Sequence, residues 1–315
     1  MYDTYMLPNS HSDLKERLSQ VCEAIKRVFA STFFNEPKSL METILHRHEE
    51  EKMAVMIMEM VGQQHNDYYY PTFSGVAQSY NYYPISYMKR EEGVAFTAMG
   101  LGRYIVEGGK ALRFAPKFPN ILPQFFSIKS TVVNSQNSFY ALNLNNGTNP
   151  LRNGERNNLT QLQLKDAERH SVLQHVASVV CDDDNIIRDS LQYKGKRVVT
   201  FSPILKFQTF PLADILEDVL EIGQSAMGCP IEIEFSVNMY NKPDKKDEFC
   251  LLQIKPMVIG GHKQSKNLVH INNTNFICRS NVVLGNGAID IIQNIIYVDL
   301  DSFSRSVTRN IAKEI

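Results

Sequence analysis

The sequence predicts an α+β (α/β) protein, with a mixed or antiparallel sheet flanked by helices. Apolar residues recur at steps of three and four near the N-terminus and again after Pro211, the period of one helix face. Short runs of β-formers bounded by Gly, Pro and Asn lie between these stretches and after them. Two of those runs, Pro230–Val237 and Glu248–Met257, are joined by NMYNKPDKKD, a polar connector with Asn, Pro and Asp that signals an antiparallel hairpin.

In chain order, Leu14, Leu18, Val21, Ile25, Val28, Phe29 and Phe33 form one apolar stripe of a helix over 12–34, with Ser12 as N-cap and Asp13 in its first turn. A second helical stretch is expected over Ser39–Glu51. The apolar run MAVMIMEMV, Met53–Val61, reads as a buried strand whose methionines fill the core. Tyr68–Tyr87, broken by Pro71, Gly75 and Pro84, fits two edge strands with exposed turns. Gly93–Phe114 then reads as strand, glycine turn, helix start or bend, and second glycine pair. Val133–Asn158 holds nine Asn and reads as a long polar loop, about 133–160. Lys196–Phe201 is a strand, and Leu212, Ile215, Leu216, Val219 and Leu220 mark a helix from near Pro211 to Gly228.

Of the 315 residues, 43% are hydrophobic and 21% charged, ordinary usage that excludes disordered, collagen-like and coiled-coil chains. Lys and Arg number 33 against 34 Asp and Glu, so no bulk positive field holds nucleic acid or an anionic membrane, and a phosphate site must be local. Five cysteines, an odd number without C-x-x-C pairs, are read as reduced, mostly buried thiols. The N-terminus lacks a signal-peptide pattern and no window approaches the roughly 20 apolar residues of a bilayer span, which predicts a cytoplasmic protein. His46 and His48 lie two apart, on different faces of a helix, and do not form a zinc pair.

The chemistry-bearing residues gather at the hairpin. Glu232 and Glu234 share one strand face, with Ile231, Ile233 and Phe235 on the other; on the partner strand Gln253 and Lys255 share a face opposite Cys250, Leu252 and Ile254. If the hairpin pairs, two carboxylates, an amide and an ammonium meet. Such a face is either a solvated surface of cross-strand pairs or a hard-oxygen site suited to Mg²⁺ and phosphate. Gly100–Arg113 is open in the same way: close glycines followed by Lys110 and Arg113 suit an anion, and they also suit a plain strand-to-helix turn.

In order along the chain, these stretches resemble the N-terminal ATP-binding domain of the phosphoenolpyruvate synthase / pyruvate phosphate dikinase family, an ATP-grasp-like fold. AIKRVFASTFF is similar to the helix before its first central strand, and MAVMIMEMVG to the hinge motif V-x-x-Q-x-M-V. FSGVAQS resembles its S-G-V hairpin, GVAFTAMGLGRYIVEGG its G-L-G-E-x-V-V-x-G segment, IEIEF its D-I-E-[FW] strand and LLQIKPM its L-Q-x-R-P strand. The match runs from Tyr2 to Met257.

The resemblance implies residues 1–258 as an ATP-binding domain incomplete at its N-terminus, and 259–315 as a connector or the start of another domain. It implies ATP and Mg²⁺, with Glu234, Gln253 and Glu232 toward metal and phosphate and Lys255 at the position of the family's Arg. Glu59, Met60 and Val61 fall in the hinge that holds adenine through its backbone, Ser74 and Gly75 in the hairpin over the phosphates, and Gly100 and Gly102 in the glycine segment. Glu59 replaces Gln, Arg103 replaces Glu, and Lys255 lacks the bidentate fork of Arg. The family's phosphate-binding Lys and V-R-S-S Arg are expected upstream, and His262 and His270 lack the setting of its phosphohistidine motif. The implied activity is phosphorylation of a histidine on a swivelling domain for transfer to pyruvate, with a phosphohistidine domain and a pyruvate/phosphoenolpyruvate-binding domain as partners and this chain alone inactive. A non-catalytic nucleotide-binding remnant, or a pyruvate phosphate dikinase or antibiotic phosphotransferase relative, are the alternatives.

Overall fold

Strict alternation of Ile231, Ile233, Phe235 and Val237 with polar residues builds the strand on which the largest sheet is assembled. In the computed structural model, which describes residues 4–33, 54–85, 88–145, 158–181, 185–242, 244–257, 292–295 and 304–308, all four are buried. The chain divides into two compact units, Met1–Met257 and Val258–Ile315. The expected helix over Ser39–Glu51 with His46 and His48, together with Met53, residues 146–157, His262, His270 and Cys278, lies outside the described residues.

The first unit holds twelve described strands. Those before residue 150 are β1 (Gln63–His65), β2 (Tyr68–Tyr70), β3 (Phe73–Gln78), β4 (Val94–Met99), β5 (Leu112–Phe114) and β6 (Ser138–Asn143). The rest are β7 (Leu159–Gln163), β8 (Ala177–Cys181), β9 (Ile186–Arg188), β10 (Lys196–Val199), β11 (Ile231–Asn238) and β12 (Glu248–Pro256). They form sheets of order β1-β2-β6-β7, β10-β8-β9 and β12-β11-β3-β4-β5. Every described pairing is antiparallel, which settles the mixed-or-antiparallel expectation.

The helices are α1 (Leu14–Ser31), α2 (Arg103–Val106), α3 (Ile128–Asn134), α4 (Leu164–Arg169), α5 (Ser202–Leu205) and α6 (Leu212–Met227). α6 begins after Pro211 and stops at Gly228, whose φ of 65° is the left-handed cap that glycine adopts without a Cβ penalty. Its buried Leu212, Leu216 and Leu220 cover one face of the five-stranded sheet. Gly223 lets it approach closely, since a Cβ there would stand 2.5 Å from Ile231 and 2.8 Å from Ile254.

Several expectations are corrected. The N-cap of α1 is Asp13, whose carboxylate accepts from the Lys15 amide at 2.9 Å, and not Ser12. The apolar stripe of α1 is largely uncovered, with Leu14 at 67% and Leu18 at 62% exposure. Residues 54–62 are not a strand, and Met56, Ile57 and Met58 are exposed rather than core-filling. A continuous apolar run needs a sheet with both faces covered, and no described strand pairs with this one. The Tyr-rich region holds no pair of edge strands: β3 lies inside its sheet between β11 and β4, and Gly75 sits mid-strand instead of in a turn. The Asn-rich stretch contains β6, whose Phe139, Ala141 and Leu142 are buried core residues among the asparagines. Of the described thiols, all free, Cys181 is buried, Cys22 is exposed, and Cys229 and Cys250 are half-buried.

Under the four-stranded sheet, the buried Tyr70 hydroxyl lies 2.7 Å from His170 Nδ1, and the His65 and His170 rings stack with centroids 5.3 Å apart. Burial, with the charge of His170 second, lowers the His65 pKa to about 4; burial also lowers that of His170, against the pull of Asp166.

Two predictions follow from this packing. A Cβ at Gly75 would stand 2.2 Å from the Phe235 ring and 2.8 Å from the Phe96 carbonyl oxygen. Gly75→Ala is therefore expected to cost about 1–3 kcal/mol in urea unfolding, typical of overpacking, with part recovered by Phe235→Leu. For His65, the unfolded chain takes up a proton near pH 6.5 and the folded chain only near 4. Stability from neutral His65 is thus intact above 6.5 and falls as pH drops from 6.5 towards 4. Urea midpoints of the wild type should decline faster over that window than those of His65→Phe, and parallel curves would contradict the assignment.

Candidate functional site

The alternation that buries Ile231, Ile233 and Phe235 turns Glu232, Glu234, Ser236 and Asn238 to the opposite face of β11. Register with β12 sets Glu232 against Lys255 and Glu234 against Gln253. Register with β3 sets Glu232 against Gln78, Glu234 against Val76 and Ser236 against Ser74. The anticipated meeting of two carboxylates, an amide and an ammonium on one sheet face is thus present.

Lys255 Nζ stands 2.7 Å from Glu232 Oε1 and 3.4 Å from Glu234 Oε1. The hydrogen bond that Lys255 donates to Glu232 is the main reason that its pKa lies above the ordinary value. Gln78 Nε2 donates to Glu232 Oε2 at 2.6 Å, so both oxygens of Glu232 are engaged. Between Glu234 and Phe235 the register with β12 shifts, leaving Leu252 as the extra residue of a bulge. One expectation changes as a result: Cys250, predicted on the face away from Gln253, pairs with Ser236 on the polar side.

Farther along the same face, Ser74 Oγ donates to the Gly100 carbonyl at 2.8 Å and lies 2.9 Å from Ser236 Oγ. Ser74 therefore links the acidic strand to the glycine turn. Gly75, its neighbour, points to the core under Phe235 and does not share this face. Gly100 has φ of 81°, and a Cβ there would stand 2.8 Å from both Phe139 and the Tyr140 oxygen; Gly102 has right-handed φ and only Ser74 near it, at 3.7 Å. The cations of this segment have partners of their own: Lys110 Nζ donates to the Val133 carbonyl, the Arg113 guanidinium to Asn81 and Tyr83, and Arg103 pairs with Glu107. The segment has the geometry of a strand-to-helix turn.

Glu59, Met60 and Val61 precede β1 and belong to no strand. Glu59 is exposed, and the Met60 carbonyl accepts from the Tyr69 hydroxyl at 3.1 Å. Two residues on, the Gly62 carbonyl lies 3.5 Å from Asn238 Nδ2, which ties this segment to the far end of β11. Four residues of strand, about 13 Å, separate Glu234 from Asn238 along one face. Gln78, Ser236 and Asn238 were not anticipated; continuing the two-residue step from Glu232 and Glu234 reaches the last two. Asn238 Oδ1 is buried without a hydrogen-bond partner among the described residues.

No cluster of three or more His, Cys, Asp or Glu in metal-binding arrangement occurs among the described residues. Both oxygens of Glu232 are engaged by Lys255 and Gln78, while Glu234, which Lys255 reaches with one longer contact of 3.4 Å, faces Gln253 in register with oxygen donors. That pair fits Mg²⁺, which accepts one or two protein ligands and fills its octahedron with phosphate oxygens and water. A cavity of about 590 Å³ lined in part by Gln174, Asp189 and Phe207 shares no residue with this face.

The two glycines should respond differently to a side chain. Gly100→Ala is expected to lower the thermal midpoint by several degrees, about 1 kcal/mol or more for the positive φ alone, while Gly102→Ala stays within about 0.5 kcal/mol of wild type.

Among the described residues no helix is long and apolar enough to cross a membrane. No curated protein matches the chain. Over residues 1–275 the chain matches the family described as pyruvate phosphate dikinase, AMP/ATP-binding domain.

Proposed function

The chain belongs to the pyruvate phosphate dikinase AMP/ATP-binding domain family, with the α+β, ATP-grasp-like architecture of a nucleotide-binding kinase domain, and from that premise we propose that the polar face of the five-stranded sheet, part-exposed at Glu232 and Glu234, is its MgATP site. The observation that carries this reading is the register of β11 with β12, which puts Glu234 opposite Gln253 and Glu232 opposite Lys255 within the matched residues.

Glu234 and Gln253 are the residues that would hold Mg²⁺. The ion, when bound, supplies charge neutralisation to the phosphate oxygens. Lys255 donates to phosphate oxygens as a point charge, Gln78 fixes Glu232 so that the ammonium stays at the face, and Ser74 sets the position of the Gly100 carbonyl. We assign Glu59, Met60 and Val61, tied through Gly62 to the Asn238 end of β11, to the adenine end; the Met60 carbonyl there already accepts from the Tyr69 hydroxyl.

The finer reading is that the domain works with a swivelling phosphohistidine domain and a pyruvate-binding domain in the cytoplasm, and that residues 1–315 alone bind nucleotide weakly and transfer nothing. Two carboxylates against one ammonium leave the Glu232, Glu234 and Lys255 cluster with net negative charge, which opposes a polyphosphate there unless a cation accompanies it. A non-catalytic nucleotide-binding module shares the same site and differs only in transfer.

Calorimetry with MgATP tests the site. Wild type should give a measurable heat, and Glu234→Ala should weaken binding by about tenfold or more, as expected when a charged hydrogen-bonding partner is lost. Identical heats near zero for both proteins would overturn the assignment. Incubation of 1–315 with a phosphohistidine domain and labelled ATP should leave the histidine unlabelled, and labelling at an ordinary kinase rate would overturn the inactivity of the chain alone.

A further inference from the structure

The ammonium of Lys255 occupies the position where a cation would bridge the two carboxylates of β11. It is 2.7 Å from Glu232 and 3.4 Å from Glu234, and the three side chains are 45%, 20% and 38% exposed. Two carboxylates on one strand face repel each other unless a cation stands between them. The two contacts are unequal: Gln78 braces Glu232 from the β3 side at 2.6 Å, whereas the longer contact is to Glu234, the residue opposite Gln253.

We infer that Lys255 is a built-in counter-ion that makes divalent cation and phosphate bind this face cooperatively. A divalent ion arriving at Glu234 and Gln253 meets an ammonium a few ångströms away and is repelled by it. A phosphate oxygen draws that ammonium off Glu234 by offering a better acceptor, while Glu232, held by Gln78, keeps the side chain within reach. Each ligand removes an obstacle to the other, and the coupling is reciprocal. The inference deepens the nucleotide-site reading and rests on it for the identity of the phosphate, but its first test requires no nucleotide.

That test follows Mn²⁺ binding to the full chain by the loss of its free electron paramagnetic resonance signal, with protein-free samples correcting for chelation. Without phosphate, Lys255→Gln should bind Mn²⁺ about three- to tenfold more tightly than wild type, the scale of one or two partly exposed ion pairs. Adding inorganic phosphate should tighten Mn²⁺ binding to wild type and leave Lys255→Gln unchanged. The double variant Lys255→Gln, Glu234→Gln should lose the gain. Equal or weaker binding by Lys255→Gln, or a gain that survives the loss of Glu234, would overturn the inference. If calorimetry with MgATP gives no heat while the Lys255→Gln gain appears, the nucleotide reading falls and the counter-ion role stands.

Discussion

Carboxylates two residues apart on a β-strand project to the same side, and their mutual repulsion has to be met by a cation from a neighbouring strand. On β11 that cation is Lys255, and it is available only because β12 pairs in the register that sets Glu232 against it. The same register places Gln253 beside Glu234, and the pairing of β11 with β3 brings Gln78 to the far oxygen of Glu232. Slippage by one residue would send each of these side chains into the core and Ile233 and Phe235 into water, so burial of those two residues fixes the polar face.

The core face restrains the arrangement through shape. Phe235 lies over Gly75 and stacks on Phe249 with ring centroids 5.2 Å apart, and Gly223 lets α6 settle against Ile231 and Ile254. Glycine at these positions marks close approach, where any side chain would meet a ring or a branched carbon. Gly100 combines close approach with a positive φ, which reverses the chain after β4 and delivers its carbonyl to Ser74. Of these three glycines, only Gly100 reaches the polar face, through its carbonyl to the buried Ser74.

Local periodicity made much of this legible from residues alone. The hairpin of β11 and β12, the limits of α6 and the order strand, turn, helix start from Gly93 to Val106 are set by neighbours in sequence, and each was readable, whereas β5 was not. What was not readable depends on distant partners. Whether β3 is an edge or an interior strand is decided by β4 and β11, and nothing within Phe73–Gln78 states it. Met56, Ile57 and Met58 have the composition of a buried strand but pair with no described strand. Phe139, Ala141 and Leu142 are core residues hidden by surrounding asparagines, whose loop-forming tendency dominates a composition window. At the site, Glu232, Glu234, Gln253 and Lys255 were predictable because a hairpin register follows from its turn, while Gln78 enters from a strand more than 150 positions away.

The bulge at Leu252 gives β12 two phases. On the Lys255 side its polar residues face the open surface; on the Phe249 side an aromatic ring turns inward to stack on Phe235. One surplus residue lets a single strand serve a charged surface and a hydrocarbon interior in turn, without a break in its pairing to β11. Strand length across this point is therefore a constraint of its own. Phe249 and Lys255 are six positions apart, which an unbulged strand would put on one face; the surplus Leu252 is what puts them on opposite faces while the pairing with β11 continues.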